Sequence, residues 1–344
     1  MNINRIYLSS DYLPKLLPHR ENQIKLLAKK IENFVKHSIE SNIFIHGSPG
    51  IGKTATVKFV SKLAEENYNI KCIYINCWKN NTEASVLYEI NRQFGIITHR
   101  RGLGTDELFD RFIEGLTKIT KRVCIIMDEV DKLEKRENLL YKFSRLDETS
   151  NKPLFIFIAN KKDIFRLLDP RIQSSMFLDK IEFKKYTLEE LKDIFDERIK
   201  LAFENYEVGC SLLVANYSFN HESDVRYGLK LLLRASYIVE DENAKKLKVE
   251  HIKKAMKEID DMDPKKESMI KQLKKELADI IGLLKEENGI TTTSKLFEKY
   301  RTIYPITVRT FRNYLKKLKE SGIIEIEEHR GGERGSKFFV KLKV

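Results

Sequence analysis

Gly47-Ser48-Pro49-Gly50-Ile51-Gly52-Lys53-Thr54 decides how the rest of this chain is read. Its spacing, one glycine, four free positions and then Gly-Lys-Thr, is that of a phosphate-binding loop. The apolar run Ile43-Phe44-Ile45 leads into it as a buried strand would, and an amphipathic stretch, 54–63, leaves it as a helix. A strand ending in a glycine-rich turn that opens a helix directs backbone N–H groups and the helix's positive end at one point. An anion is stabilised there. Gly47, Pro49, Gly50, Ile51, Gly52 and Ala55 would form the cradle. Lys53 would reach the β- and γ-phosphates, and the Thr54 hydroxyl would ligate Mg²⁺. A glycine-rich surface turn is the competing reading, and the flanking strand and helix argue against it. The loop predicts a binder of nucleoside triphosphate.

Outward from the loop, further apolar runs at 72–75, 123–127 and 154–158 alternate with helical patterns, and a fifth strand is expected near 180–183. That rhythm predicts βα units and a parallel sheet covered on both faces. Beyond it the pattern is helical at 188–201, 210–218, 223–239 and 249–256. Asp261-Met262-Asp263-Pro264 reads as a breaker, because proline disfavours helix at the residue before it. Three modules are expected: an α/β nucleotide-binding base at 1–184, a helical lid at 185–262 and a third domain at 263–344.

The charge is uneven. Residues 264–344 hold 19 Lys and Arg against 11 Asp and Glu, a net of +8 out of +12 for the 344-residue chain. A basic module of that size invites an anionic partner, nucleic acid before membrane surface. The four cysteines, Cys72, Cys77, Cys124 and Cys210, have neither metal-ligand nor disulfide spacing, which predicts free thiols in a reducing compartment. No apolar stretch is long enough to span a bilayer, and the N-terminus lacks a signal-peptide core. A soluble, cytoplasmic protein is expected.

Val123-Cys124-Ile125-Ile126-Met127-Asp128-Glu129 is an apolar strand ending in two acids. In a parallel sheet of this kind, ligand chemistry collects at strand ends. Asp128 would hold Mg²⁺ through its water shell, and Glu129 would polarise an attacking water. The next strand ends in Ala159-Asn160. Two readings stand for Asn160: a sensor that bonds the water and the γ-phosphate, or a helix cap.

From residue 273 the pattern becomes helix, helix, helix, hairpin. Ser294 can cap a helix to Tyr300, and Thr307 can cap Val308–Glu320, stopped by Gly322. In the last helix Phe311, Leu315 and Leu318 share a buried face, leaving Arg309, Thr310, Arg312, Asn313 and Lys316 on exposed flanks. Two alternating strands, Ile324/Ile326 and Phe338/Val340/Leu342, flank a glycine-rich tip with Arg330, Arg334 and Lys337. This predicts a winged helix. Its helix would read a major groove and its tip would grip phosphate or a minor groove. Winged helices also dock proteins, so the fold alone leaves that reading open.

The order of phosphate-binding loop, Asp-Glu strand and strand-end asparagine resembles the AAA+ ATPases, and further stretches resemble the archaeal and eukaryotic origin-recognition initiators among them. Asp11-Tyr12-Leu13-Pro14 with Pro18-His19-Arg20-Glu21 resembles the family segment that embraces adenine. His99-Arg100-Arg101-Gly102-Leu103 resembles the initiator-specific insertion, which implies DNA contacts for Arg100, Arg101 and Gly102. Leu168-Asp169-Pro170-Arg171 resembles the segment of the inter-subunit arginine. Arg171 is then either a finger acting in trans or a structural arginine tying its helix to the sheet. Tyr186 and Arg198 match nucleotide-contacting lid positions. Asp224-Val225-Arg226 matches the sensor-2 motif, and a solvated helix residue is the competing reading of Arg226.

The resemblance implies an α/β AAA+ domain with a parallel sheet, a small helical lid and a C-terminal winged-helix DNA-binding domain. It further implies an initiator that binds duplex origin DNA, uses ATP or ADP with Mg²⁺ as a conformational switch, hydrolyses weakly, and recruits a replicative helicase beside paralogous initiators. Two other functions share the same sequence features: a nucleotide-gated transcriptional regulator and a mobile-element AAA+ ATPase.

Overall fold

The computed structural model describes residues 2–38, 41–96, 103–146, 151–261, 264–320, 323–330 and 336–342. The chain divides into two compact units, Met1–Met256 and Lys257–Val344.

The first unit opens with a 3-10 turn, Arg5–Leu8, and helix α1 (Glu21–His37). Strands and helices then alternate: β1 (Asn42–His46), α2 (Lys53–Asn67), β2 (Ile70–Asn76), α3 (Glu83–Phe94), α4 (Thr105–Lys118), β3 (Arg122–Asp128), α5 (Arg136–Ser144), β4 (Leu154–Ala159), α6 (Pro170–Met176) and β5 (Leu178–Glu182). The strands pair in parallel in the order β2-β3-β4-β1-β5. The apolar runs form strands because both faces are covered: every residue of β4 is buried, as are Ile43, Phe44 and Ile45 of β1. One face is filled by a chain of phenylalanine rings. Phe143 stacks on Phe155 at 4.7 Å, Phe155 on Phe157 at 5.7 Å, and Phe165 bridges Phe157 and Phe44. The four cysteines are free; Cys77, Cys124 and Cys210 are buried among apolar side chains.

Helices α7 (Leu188–Ala202), α8 (Cys210–Asn220), α9 (Val225–Asp241) and α10 (Val249–Asp261) follow, and the division between the units falls within α10. Thr187 starts α7 with a reciprocal capping box to Glu190. Asp224 caps α9, so that helix begins two residues later than the pattern from Ser223 predicts.

The second unit consists of α11 (Pro264–Glu286), β6 (Ile290–Thr292), α12 (Thr293–Ile303), α13 (Val308–Glu320), β7 (Ile324–Arg330) and β8 (Ser336–Leu342). Its antiparallel sheet, ordered β6-β8-β7, and its helices enclose Ile280, Leu284, Leu296, Tyr300, Phe311, Leu315, Leu318 and Val340. Helices with a terminal hairpin make this a winged-helix arrangement.

Three details differ from expectation. Helix α11 starts at Pro264 rather than at residue 273, because proline fits the first helical position. Thr292, not Ser294, caps α12: its pairing with Phe339 in β8 holds it extended, and its side chain accepts from the Lys295 N–H. Phe338 does not share the burial of Val340; it is 45% exposed toward the open end of the hairpin. Gly322 and residues 331–335 of the wing tip lie outside the described residues.

Candidate nucleotide-binding site

The loop between β1 and α2 bends as only glycine allows. Gly50 sits at φ +67°, and a β-carbon there would lie 1.7 Å from Oδ1 of Asp224. The missing side chain lets the N-terminus of α9 dock on the loop, and the Val225 N–H donates to the Gly50 carbonyl at 3.1 Å. Helix α2 begins after Gly52 without any capping side chain. Its first N–H groups are therefore available to an anion.

Lys53 is buried at 7% exposure, and its Nζ donates to the carbonyls of Gly47 and Ser48, both at 2.7 Å, and to Oδ1 of Asn160 at 3.0 Å. Burial lowers its pKa to about 8, a drop that the nearby Asp128 only partly opposes. Asn160 starts no helix; the next cap along the chain is Asp169, before α6. The helix-cap reading of Asn160 is thereby corrected.

Asp128 ends β3 almost fully buried. Its Oδ2 accepts from the Thr54 hydroxyl and from the Tyr74 hydroxyl, each at 2.7 Å, and its Oδ1 accepts from the Glu129 N–H at 2.9 Å. Glu129 turns sharply out of the strand in the left-handed region at φ +55°. A threonine hydroxyl bonded to a buried carboxylate is an all-oxygen pair, the donor set that suits a hard divalent cation such as Mg²⁺. The residues fit that ion.

These groups face a cavity of about 540 Å³. Pro49, Gly50, Gly52, Lys53, Thr54, Ala55, Asp128, Glu129 and Asn160 line it from the sheet side, and Tyr186, Arg198 and Arg226 from the helical side. Tyr12, Leu13 and Pro14 of the N-terminal segment close it, together with Ile158, Ile194 and Leu229. That wall is apolar and wide enough for a planar base, with the phosphate loop opposite. Arg198 donates to the Tyr7 carbonyl at 3.0 Å and lies 4.9 Å from the Tyr12 ring, which ties the N-terminal segment to α7. Arg226 forms a forked pair with Asp224, Nη2 to Oδ2 at 2.6 Å and Nε to Oδ1 at 3.0 Å. The reading of Arg226 as a merely solvated residue does not fit this pairing.

Two predicted residues act behind the wall. Gly47 carries one of the carbonyls that receive Lys53. Ile51 is fully buried, and its carbonyl accepts twice from Arg20, at 3.1 and 3.0 Å. Arg20 also donates to the Lys184 carbonyl and stacks 3.7 Å over the Tyr186 ring. Burial pushes the Tyr186 phenol up to about 12. Arg20 thus joins the loop to the start of the helical part, a role invisible without the fold. Tyr74 is the other residue that sequence reasoning missed; an alternating strand position offers no sign that its hydroxyl reaches a carboxylate on the neighbouring strand.

Arg171 lies apart. It is exposed on α6 and lines no part of the cavity, and its guanidinium bonds its own cap residue Asp169 at 3.1 and 3.0 Å. It does not tie its helix to the sheet, because the nearer Asp169 carboxylate takes its donors.

In the second unit, Arg309, Arg312, Asn313 and Lys316 are exposed along one side of α13, opposite buried Phe311, Leu315 and Leu318. Thr310 is partly committed: its N–H and hydroxyl bond the Thr307 hydroxyl at 3.2 and 3.0 Å, which confirms Thr307 as the cap. Arg330 ends β7, and Lys337 pairs with His329 across the hairpin. The side chains of Arg330 and Lys337, and Arg100, Arg101, Gly102 and Arg334 altogether, lie outside the described residues. Among the described residues no helix is long and apolar enough to cross a membrane.

A family model described as an AAA domain matches residues 36–168. The ORC1-type DNA replication protein 1 of Archaeoglobus fulgidus is 34% identical over 99% of this chain and 87% of its own length. That of Sulfurisphaera tokodaii is 32% identical over 99% and 90%. Among solved structures, the Aeropyrum pernix ORC1 protein in complex with DNA superposes with a TM-score of 0.69 at 25% identity, covering 99% of this chain and 93% of that one. Cdc6p from Pyrobaculum aerophilum superposes at 0.68 with 23% identity over 99% and 94%, a likeness of fold.

Proposed function

The chain belongs to the family of archaeal ORC1-type DNA replication proteins, and from that premise we propose that it is an ATP-dependent initiator that binds duplex origin DNA. Residues 1–184 would form the nucleotide-binding base, 185–262 the lid and 263–344 the DNA-binding domain. One observation carries the nucleotide reading: Lys53, Thr54 and Asp128 from the base line the same cavity as Arg226 from the lid. In a triphosphate complex, Lys53 would move its donors from the Gly47 and Ser48 carbonyls to phosphate oxygens. Arg226 would exchange part of its pairing with Asp224 for the γ-phosphate. That exchange would couple the occupant to the position of α9, which makes ATP a conformational switch.

Thr54 and Asp128 would hold Mg²⁺, which neutralises phosphate charge when bound. Glu129 would orient a water for slow hydrolysis, with Asn160 beside Lys53 as the sensor. Arg171 remains free to approach a neighbour's nucleotide, since an exposed ion pair to Asp169 is weak. Recruitment of a replicative helicase, and cooperation with paralogous initiators, complete the reading.

The low pKa of Lys53 has a measurable consequence. Phosphate binding favours the charged ammonium, and above pH 8 the free protein must take up a proton to supply it. Affinity for a fluorescent ATP analogue should fall about tenfold between pH 7 and pH 9. A flat profile over that range would remove Lys53 as the cationic phosphate ligand.

The function as a whole is tested by a genomic-fragment pull-down with ATP at physiological salt, comparing wild-type protein with an R309A/R312A variant. Enrichment of a few clustered loci beside easily melted DNA, lost in the variant, is expected of an initiator. Enrichment spread over promoters would instead identify a transcriptional regulator.

A further inference from the structure

Asp128 is a nearly buried carboxylate, and such a group stays charged only when donors surround it. A carboxylate oxygen has about two acceptor positions. Both positions on Oδ2 are filled, one by Thr54 and one by Tyr74. On Oδ1 the Glu129 N–H fills one and leaves one.

Three elements hold the Tyr74 ring that performs this. Its backbone belongs to β2, beside the strand that carries Asp128. Its carbonyl accepts from Gln93 of α3 at 3.0 Å, and Lys58 of α2 lies 4.3 Å over its ring. The hydroxyl therefore cannot swing away without moving the cavity wall, of which Tyr74 is part. Filling that wall would require only a phenylalanine. The hydroxyl does something a phenylalanine cannot.

We propose that Tyr74 is a positioning residue for metal binding: its hydroxyl occupies the second acceptor position of Asp128 Oδ2, so that Oδ1 carries the acceptor offered to a hydrated divalent cation. The proposal rests on the nucleotide-binding reading. Burial and the adjacent Asp128 raise the phenol's pKa well above its ordinary value, which keeps it a donor at any physiological pH. Thr54 alone could not set this orientation, because one bond to Oδ2 leaves the carboxylate free to rotate about its axis.

The test is the metal-dependent gain in nucleotide affinity, the ratio of fluorescent-ATP affinity in Mg²⁺ to that in EDTA, on the full-length chain. Removing a group that orients a ligand typically costs about 10- to 100-fold in metal affinity. Tyr74→Phe should shrink the gain by about 10-fold or more, and Asp128→Asn should abolish it. In the Asp128→Asn background, adding Tyr74→Phe should change the gain no further, since the tyrosine acts only through that carboxylate. An undiminished gain in Tyr74→Phe would overturn the proposal. So would an equal loss with and without Mg²⁺, which would make Tyr74 a wall residue. Wild-type protein that binds no nucleotide would instead refute the underlying reading, and the unmutated control alone would reveal it.

Discussion

Gly50→Ala should reduce nucleotide affinity by at least about 100-fold and lower stability by several kcal/mol, the sum of backbone strain and a steric clash. The strain comes from φ +67°, a left-handed conformation that costs an alanine about 1–2 kcal/mol. The clash is worse. A β-carbon would sit 1.7 Å from Oδ1 and 2.0 Å from Cγ of Asp224. That carboxylate cannot step aside, because it caps α9 through the Arg226 N–H at 2.9 Å and also pairs with the Arg226 side chain. Either α9 withdraws, breaking the bond from Val225 to Gly50, or the loop loses its cradle.

Gly95→Ala is the control. Gly95 is at φ +83° with nothing within 4 Å of the added carbon, so it should show only the strain and leave nucleotide affinity unchanged. Thermal unfolding and fluorescent-nucleotide titration of both variants measure the two terms. Equal behaviour of Gly50→Ala and Gly95→Ala would mean that the docking of α9 on the loop is unimportant.

R309A/R312A should weaken duplex binding about 100-fold at physiological salt, at roughly 1–3 kcal/mol for each arginine truncated. The slope of log affinity against log salt should fall by about two, one unit for each cation withdrawn from a phosphate. Both side chains are exposed on α13, while that helix packs into the core through Phe311, Leu315 and Leu318. The unfolding midpoint should therefore not move. Fluorescence anisotropy with duplex DNA across a salt series gives affinity and slope together. Unchanged affinity, or binding indifferent to salt, would show that α13 docks something other than nucleic acid.

Much of the site was legible before the fold was seen. The phosphate loop, the Asp128-Glu129 strand end and Asn160 are announced by local rules: glycine spacing, apolar runs of strand length, and polar residues where those runs stop. The same holds for α13, where Phe311, Leu315 and Leu318 at helical spacing identify the buried side and so the exposed cations. Strand β6 was not legible, because three residues are too few for an alternating pattern. The cap of α12 was misread for a related reason. Thr291-Thr292-Thr293-Ser294 offers several equivalent hydroxyls, and the choice of Thr292 comes from its pairing with a strand some fifty residues further on.

The sequence by itself determined the βα framework, the phosphate cradle and the reading helix, because each depends on stereochemistry or periodicity within about a dozen neighbouring residues. Only the tertiary structure decided which side chains meet: Asp224 against Gly50, Arg20 on the Ile51 carbonyl, Tyr74 with Thr54 on Asp128, and Arg171 turned to its own cap. Those choices follow from burial, which requires every enclosed charge and polar group to find a partner. The partner is whatever the packing brings within 3 Å, and distance along the chain carries no record of it.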